Sequence, residues 1–194
     1  MFHPFLWVSE SSRTRVFWGF FAIAAALMIV MQLLGAPLKT AVAPAGIVSY
    51  ELAGSAAVSQ RILASWDARI RAYAGLNLGL DYLFIVSYVG AIGMGCSLLA
   101  VRIRQRARVL AWTGIVLAWG QLLAGALDAL ENVALLRLLV RAGTADGLSA
   151  WPAVARACAI PKFLIVVLSL LYLLVAGVVA LAGRGSGRQA ARVQ

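Results

Sequence analysis

The sequence predicts an all-α integral membrane protein: a four-helix bundle with an external amphipathic helical segment between helices one and two. Three observations carry that prediction. Of 194 residues, 63% are hydrophobic and 12% charged, against roughly 45–50% and about 25% in soluble domains. Four stretches of roughly 20 residues carry no charge, the length a helix needs to cross about 30 Å of hydrocarbon. The arginines gather at the ends of those stretches. This composition excludes a disordered chain, and two cysteines exclude a disulfide scaffold. A β-barrel needs alternating segments of about ten residues, which the sequence lacks.

Residues 1–15 read as a cytoplasmic stub, with Phe2, Phe5, Leu6 and Trp7 placed for the membrane interface. Span one covers 16–34. Its basic flank and the triplet Ala41, Val42, Ala43 suggest a signal peptide, but its apolar core exceeds the 7–15 residues of a signal sequence and Pro44 follows the candidate site, so it reads as a retained anchor. Residues 35–75 form an external loop. From Ile47 to Tyr73, apolar residues such as Val48, Leu52, Ile62, Trp66 and Ile70 recur at helical spacing, which predicts one or two amphipathic helices on the bundle mouth or along the interface. Span two is 76–101, with its helix starting near Gly75. A basic loop, 102–108, leads to span three, which continues as helix over 109–140. Gly143 and Gly147 end that helix, and 141–160 form a second external loop containing Cys158. Pro161 opens span four (161–182), where its missing N–H costs nothing. The tail 183–194 reads as flexible.

The net charge of +10 is explained by topology. Arg13, Arg15, Arg102, Arg104, Arg106, Arg108, Arg184, Arg188 and Arg192 all fall on one side of a four-span chain, and the positive-inside rule makes that side, with both termini, cytoplasmic. This leaves membrane lipids, including anionic headgroups, as the expected partners, and no nucleic acid. Gly75 and Gly79, Ala91 and Gly95, and the nearby Gly90 and Gly93 give span two a small-residue face suited to close helix packing and to a homo-oligomer. The lone histidine, His3, excludes His-ligated haem, His-ligated zinc and a Ser-His-Asp hydrolase. Cys96 and Cys158 belong to opposite ends of the membrane, too far apart for a disulfide.

One constellation is costly in lipid. Asn77, Asp81, Phe84 and Tyr88 share a face at the start of span two, and Gln121, Gly125, Asp128 and Asn132 share one at the end of span three, with Glu131 one turn on. The short 102–108 link pairs the spans as an antiparallel hairpin, so Asp81, Asp128 and Glu131 converge at one depth. Arg137 sits one to two turns above, Lys162 enters the same layer at the start of span four, and Glu51 caps the group from the loop. An ionised Asp at the bilayer centre costs roughly 2.5–3.5 kcal/mol, so such groups face the interior and find partners. The bland outcome is register-fixing ion pairs, Asp81 with Arg137 or Lys162. The functional outcome is an outward-opening polar cavity, with Asp81, Asp128 and Glu131 as candidates for acid/base chemistry or for oxygen ligation of a divalent cation. Glu51, Trp66, Asn77, Tyr88, Asn132, Arg137 and Lys162 are the candidate binding residues. Ser169 and Tyr172 on span four suit interhelical hydrogen bonds.

The strings Gly46-Ile47-Val48-Ser49-Tyr50-Glu51-Leu52-Ala53-Gly54, Leu80-Asp81-Tyr82-Leu83-Phe84, and Asp128 with Glu131-Asn132, together with Ile62-Leu63, Trp66 and Tyr88, resemble a family of small bacterial four-span membrane proteins. The resemblance runs from residue 36 to the end of span four. It implies a multi-pass protein of a bacterial inner membrane and singles out Glu51, Trp66, Asp81, Asp128, Glu131 and Asn132. No activity attaches to it. Three functions follow from the residues. The first is a non-catalytic membrane component. The second is a lipid- or isoprenoid-modifying enzyme using Asp81, Asp128 and Glu131 in a cavity between spans two, three and four, with or without a divalent metal. The third, a proton or cation path, is disfavoured by the apolar lower half of the bundle.

Overall fold

The computed structural model describes residues 2–142 and 150–190, with side chains through Ala182. Six α-helices follow in order: α1 (Glu10–Gly35), α2 (Ile47–Glu51), α3 (Ala56–Ala64), α4 (Ala68–Ile103), α5 (Arg108–Val140) and α6 (Trp151–Ala190). No strand occurs among the described residues. Four helices, α1, α4, α5 and α6, are long and apolar enough to cross a membrane.

The elements that differ from expectation do so for local reasons. Helix α4 starts seven residues before Gly75, because Asp67 accepts the Ile70 N–H at 2.7 Å and caps its first turn. Helix α6 begins at Trp151, so Cys158 is helical and Pro161 lies inside the helix rather than opening it. Its ring removes one backbone donor, a cost that interior prolines in membrane helices meet through neighbouring groups. The helix also runs on to Ala190, where glycine content predicted a flexible tail. Gly143, Gly147 and the end of that tail, 191–194, lie outside the described residues. Of the N-terminal residues expected at the interface, Phe2, Leu6 and Trp7 are exposed and Phe5 is buried. The stub turns back through a Val8 N–H to Phe5 carbonyl bond of 3.2 Å and buries His3, Phe5 and Val8 against the bundle.

Helices α4, α5 and α6 pack on one another as a three-helix core, and α1 lies chiefly along α4. Consecutive spans run antiparallel, which leaves α4 and α6 parallel. Phe20 of α1 sits over Gly90 and Phe17 over Gly95, while Asn77 donates to the Met31 carbonyl at 2.8 Å. Val89 fits against Gly125, and Gln121 Nε2 donates to Ser169 Oγ at 2.7 Å. Gly114 receives the Tyr172 ring, where a Cβ would meet the phenol. Gly90, Gly93 and Gly95 of α4 thus admit side chains of the same chain, whereas Gly79 has nothing within 4 Å. Two-thirds of the most apolar window of α4 is buried, whereas the equivalent window of α1 is wholly unburied. A helix that exposes Trp18, Ile29 and Leu33 along its length is stable in hydrocarbon and not in water.

Across one end lies a lid made of Ala36–Leu38 in a single 3₁₀ turn, α2 and α3. Tyr50, Ile62, Leu63 and Trp66 form a continuous core with Leu78, Leu135 and Leu138 beneath them. Two buried polar tips are anchored: Tyr50 OH donates to the Leu135 carbonyl at 3.2 Å and Trp66 Nε1 to the Leu38 carbonyl at 3.0 Å. Arg71 of α4 donates to the Leu63 carbonyl at 2.8 Å and the Trp66 carbonyl at 3.0 Å, satisfying the end of α3. Gly46 and Gly54, at φ 62° and 69°, bracket α2. Only glycine enters that region freely, and a Cβ at Gly54 would lie 2.7 Å from Arg156 Cδ.

Candidate functional site

The lid places Glu51 over the gap where α4, α5 and α6 meet. Steps of three and four along α4 put Asp81, Phe84 and Tyr88 on one face, and the antiparallel α5 brings Asp128, Glu131 and Asn132 to the same depth. Lys162 enters from α6. Its ammonium lies 2.6 Å from Asp128 Oδ1, 2.8 Å from Glu131 Oε2 and 4.0 Å from Glu51 Oε2. Tyr88 OH donates to the other Asp128 oxygen at 3.0 Å, and Asn132 Nδ2 donates to Asp81 Oδ2 at 2.6 Å. Glu131 is 0% exposed, Asp128 4% and Lys162 6%, so these groups are buried.

Donors are in deficit. Four carboxylates share one ammonium, one phenol and one carboxamide. The Lys162–Glu131 approach is an ion contact without a well-directed hydrogen bond, and Glu131 Oε1 and Glu51 Oε2 also have no hydrogen-bond partner. Burial holds the Glu51 carboxyl above the usual carboxylate range, with Asp128 adding to the rise and Lys162 opposing it, and its side chain meets that of Glu131. Among the described residues no three His, Cys, Asp or Glu side chains are arranged to hold a metal ion. The Lys162 ammonium takes the cation position between Asp128 and Glu131.

Beside the cluster opens a cavity of about 450 Å³, within the range of small-molecule sites. Glu51, Asp81, Asp128 and Lys162 form its polar end. Phe84, Tyr88, Ala91 and Ile92 of α4 make the floor, and Phe163, Val166 and Leu170 of α6 one wall. The other wall is Phe21, Ala24, Ala25 and Met28 of α1. The expected cavity between spans two, three and four is therefore corrected: it lies between α1 and α6 over α4, and α5 contributes Asp128. Since α1 barely meets α6, the cavity is a lateral gap. Phe21 and Leu170 on its two walls remain 49% and 46% exposed.

Of the candidate residues, the structure brings together Glu51, Asp81, Tyr88, Asp128, Glu131, Asn132 and Lys162. Asp81 pairs with Asn132 instead of a cation. Arg137 stands apart, its guanidinium 4.4 Å from the Trp151 ring centroid. Trp66 belongs to the lid core and Asn77 ties down the end of α1. The α1 wall was missed. Its signal is the 21, 24, 25, 28 spacing, one helical face on which two alanines leave room between larger side chains.

The fold and cavity define a multi-pass helical membrane protein with a buried ionic cluster at one end. No protein-family model, curated protein or solved structure matches the chain.

Proposed function

We propose that the chain is a non-catalytic membrane component that holds an amphiphile in the gap between α1 and α6, its head at the carboxylate cluster and its tail along the apolar walls. The observation that carries this reading is the segregated lining of the cavity: every charged side chain is at the lid end, and the remainder is aliphatic or aromatic. From Asp81 to Ile92 the floor of α4 extends about 16 Å at about 1.5 Å per residue, room for one alkyl chain. An amphiphile gains by such a site because its tail stays in apolar surroundings while its head meets groups that the bilayer core lacks. In this reading the arginine-rich ends face the cytoplasm, the lid faces outward, and the head sits in the outer leaflet of a bacterial inner membrane.

The test is mass spectrometry of the purified chain released from its native membrane. Wild type is expected to carry a lipid-sized adduct that Ala25→Trp, which fills the α1 wall, does not. Identical adducts on both proteins would remove the cavity from the account. A second reading, an enzyme acting on the head of the same amphiphile, is favoured by Asp81. It lines the cavity, is positioned by Asn132, and is free of the Lys162 ammonium, as a general base or acid must be to exchange a proton with a ligand. Under that reading Asp81→Asn traps the unmodified amphiphile on the protein, and the released lipid differs in mass from that of wild type.

A further inference from the structure

The amphiphile's head is constrained by the charge already present. Among the described residues Lys162 is the one basic side chain on the cavity wall, and it is engaged by Asp128 and Glu131 at 2.6 and 2.8 Å. Arg137 is stacked on Trp151, and the Arg156 side chain lies against Gly54. No cation in the cavity is therefore left for a phosphate or carboxylate head. Acceptors, by contrast, are in surplus. Glu131 is fully buried within the cluster and its Oε1 has no hydrogen-bond partner, and neither has Glu51 Oε2 at the cavity rim. Asp81 receives one bond from Asn132 through Oδ2, and its carboxylate faces the cavity. Four acids against one ammonium leave negative charge that a low-dielectric site must offset with protons or with a cation from outside.

We infer that the cavity selects amphiphiles with a cationic, hydrogen-bond-donating head, a primary amine or ammonium, seated between Asp81 and Glu51. This rests on the amphiphile-binding reading above and narrows it to one class of ligand. An ammonium brings three donors to a place short of donors and adds the charge that the cluster lacks. An anionic head would meet Asp81 and Glu51 with no free cation to offset them, and a neutral alcohol would supply a single donor and no charge.

The full chain in nanodiscs of phosphatidylcholine at pH 7 decides this through retention of dodecylamine, dodecyl phosphate and dodecanol, each measured above the level of empty nanodiscs. Dodecylamine is expected to be retained at least tenfold more tightly than dodecyl phosphate. Asp81→Asn is expected to lower amine retention at least tenfold and leave dodecanol unchanged; Glu51→Gln serves in its place if that variant is not monodisperse. Equal or stronger retention of dodecyl phosphate, or amine retention untouched by the acid variants, overturns the inference. If in that case Ala25→Trp still abolishes retention, the amphiphile-binding reading survives. Retention of none of the three, or retention that Ala25→Trp does not alter, overturns both.

Discussion

Helix α1 has a cleft on each side, and the two are treated differently. On the side toward α5, the N-terminal residues turn back and fill the space: Phe5 lies where a Cβ on Gly93 would be 2.9 Å from its ring, Phe2 stacks on Trp119 at 5.6 Å, and Met94 is fully buried beneath. On the side toward α6, no segment among the described residues enters, and a cavity of about 450 Å³ remains. Both clefts have α4 as their floor and small residues to admit a side chain. They differ in what stands at the end. The filled cleft is apolar apart from His3, Arg13 and Ser97, so a phenylalanine closes it at a gain in buried area. The open one ends in Glu51, Asp81, Asp128 and Lys162, and an apolar plug there would strip the cluster of the polar contacts it needs. Open space beside buried charge is thus consistent with a ligand site, whereas open space beside aliphatic groups is closed by the chain itself.

The largest expected effect breaks the cluster. Lys162→Met removes the sole ammonium from among Asp128, Glu131 and Glu51, and loss of one partner from a buried ion pair costs about 3–5 kcal/mol. Thermal unfolding in detergent should show that loss, and adding Asp128→Asn should restore part of it. An undiminished melting temperature in the single variant would mean that the ion pairs contribute nothing to stability.

Next comes the direct contrast of the clefts. Gly93→Leu drives a side chain into Phe5 and should cost about 1–3 kcal/mol through overpacking, while exposing residues 2–9 to protease. Ala25→Trp adds more volume on the other side and should fall within about 0.5 kcal/mol of wild type, because it enters open space. Equal costs for the two would abolish the distinction between a filled and an open cleft.

Much of this was legible in the sequence. The four charge-free runs give the bundle, and the hairpin enforced by residues 102–108 brings Asp81 to Asn132 and Tyr88 to Asp128. The lid helices appear as apolar spacing between Gly46 and Tyr73. The less legible parts are those in which apolar residues choose among apolar neighbours. Nothing in the composition of α1 says which face meets α4, since hydrophobicity surrounds it, and nothing in Phe5 distinguishes an interfacial anchor from a plug. Arg137 reads as a counter-ion because sequence records its charge but not the Trp151 face that it covers. Pro161 reads as a helix start because a proline at the first turn and one at an interior kink leave the same local signature.

Two smaller effects separate the clefts by pH. Glu51 is held above its ordinary pKa by burial, so the folded state favours its protonated form. The lid is then held most firmly below the usual glutamate value of about 4.3 and loosens as pH rises through the raised value. The opening free energy of α2, read from hydrogen exchange after dividing out the intrinsic pH dependence of the amide rate, should fall with rising pH in wild type and stay level in Glu51→Gln; a level wild-type profile would place Glu51 in solvent.

The smallest effect belongs to the filled cleft and has the opposite sign. His3 is buried, its Nδ1 accepts the Phe5 N–H at 3.3 Å, and burial together with nearby Arg13 lowers its pKa. The folded state therefore binds fewer protons than the unfolded one, and the stub is held fully above the ordinary histidine value of about 6.5. That hold declines as pH falls below it, because a protonated ring loses the acceptor that Phe5 uses. Protease release of residues 2–9 should rise on acidification in wild type and stay level in His3→Leu. Opposite pH trends at the two clefts of one protein would tie each to its own titrating group, since a general acid-induced loosening moves both in the same direction.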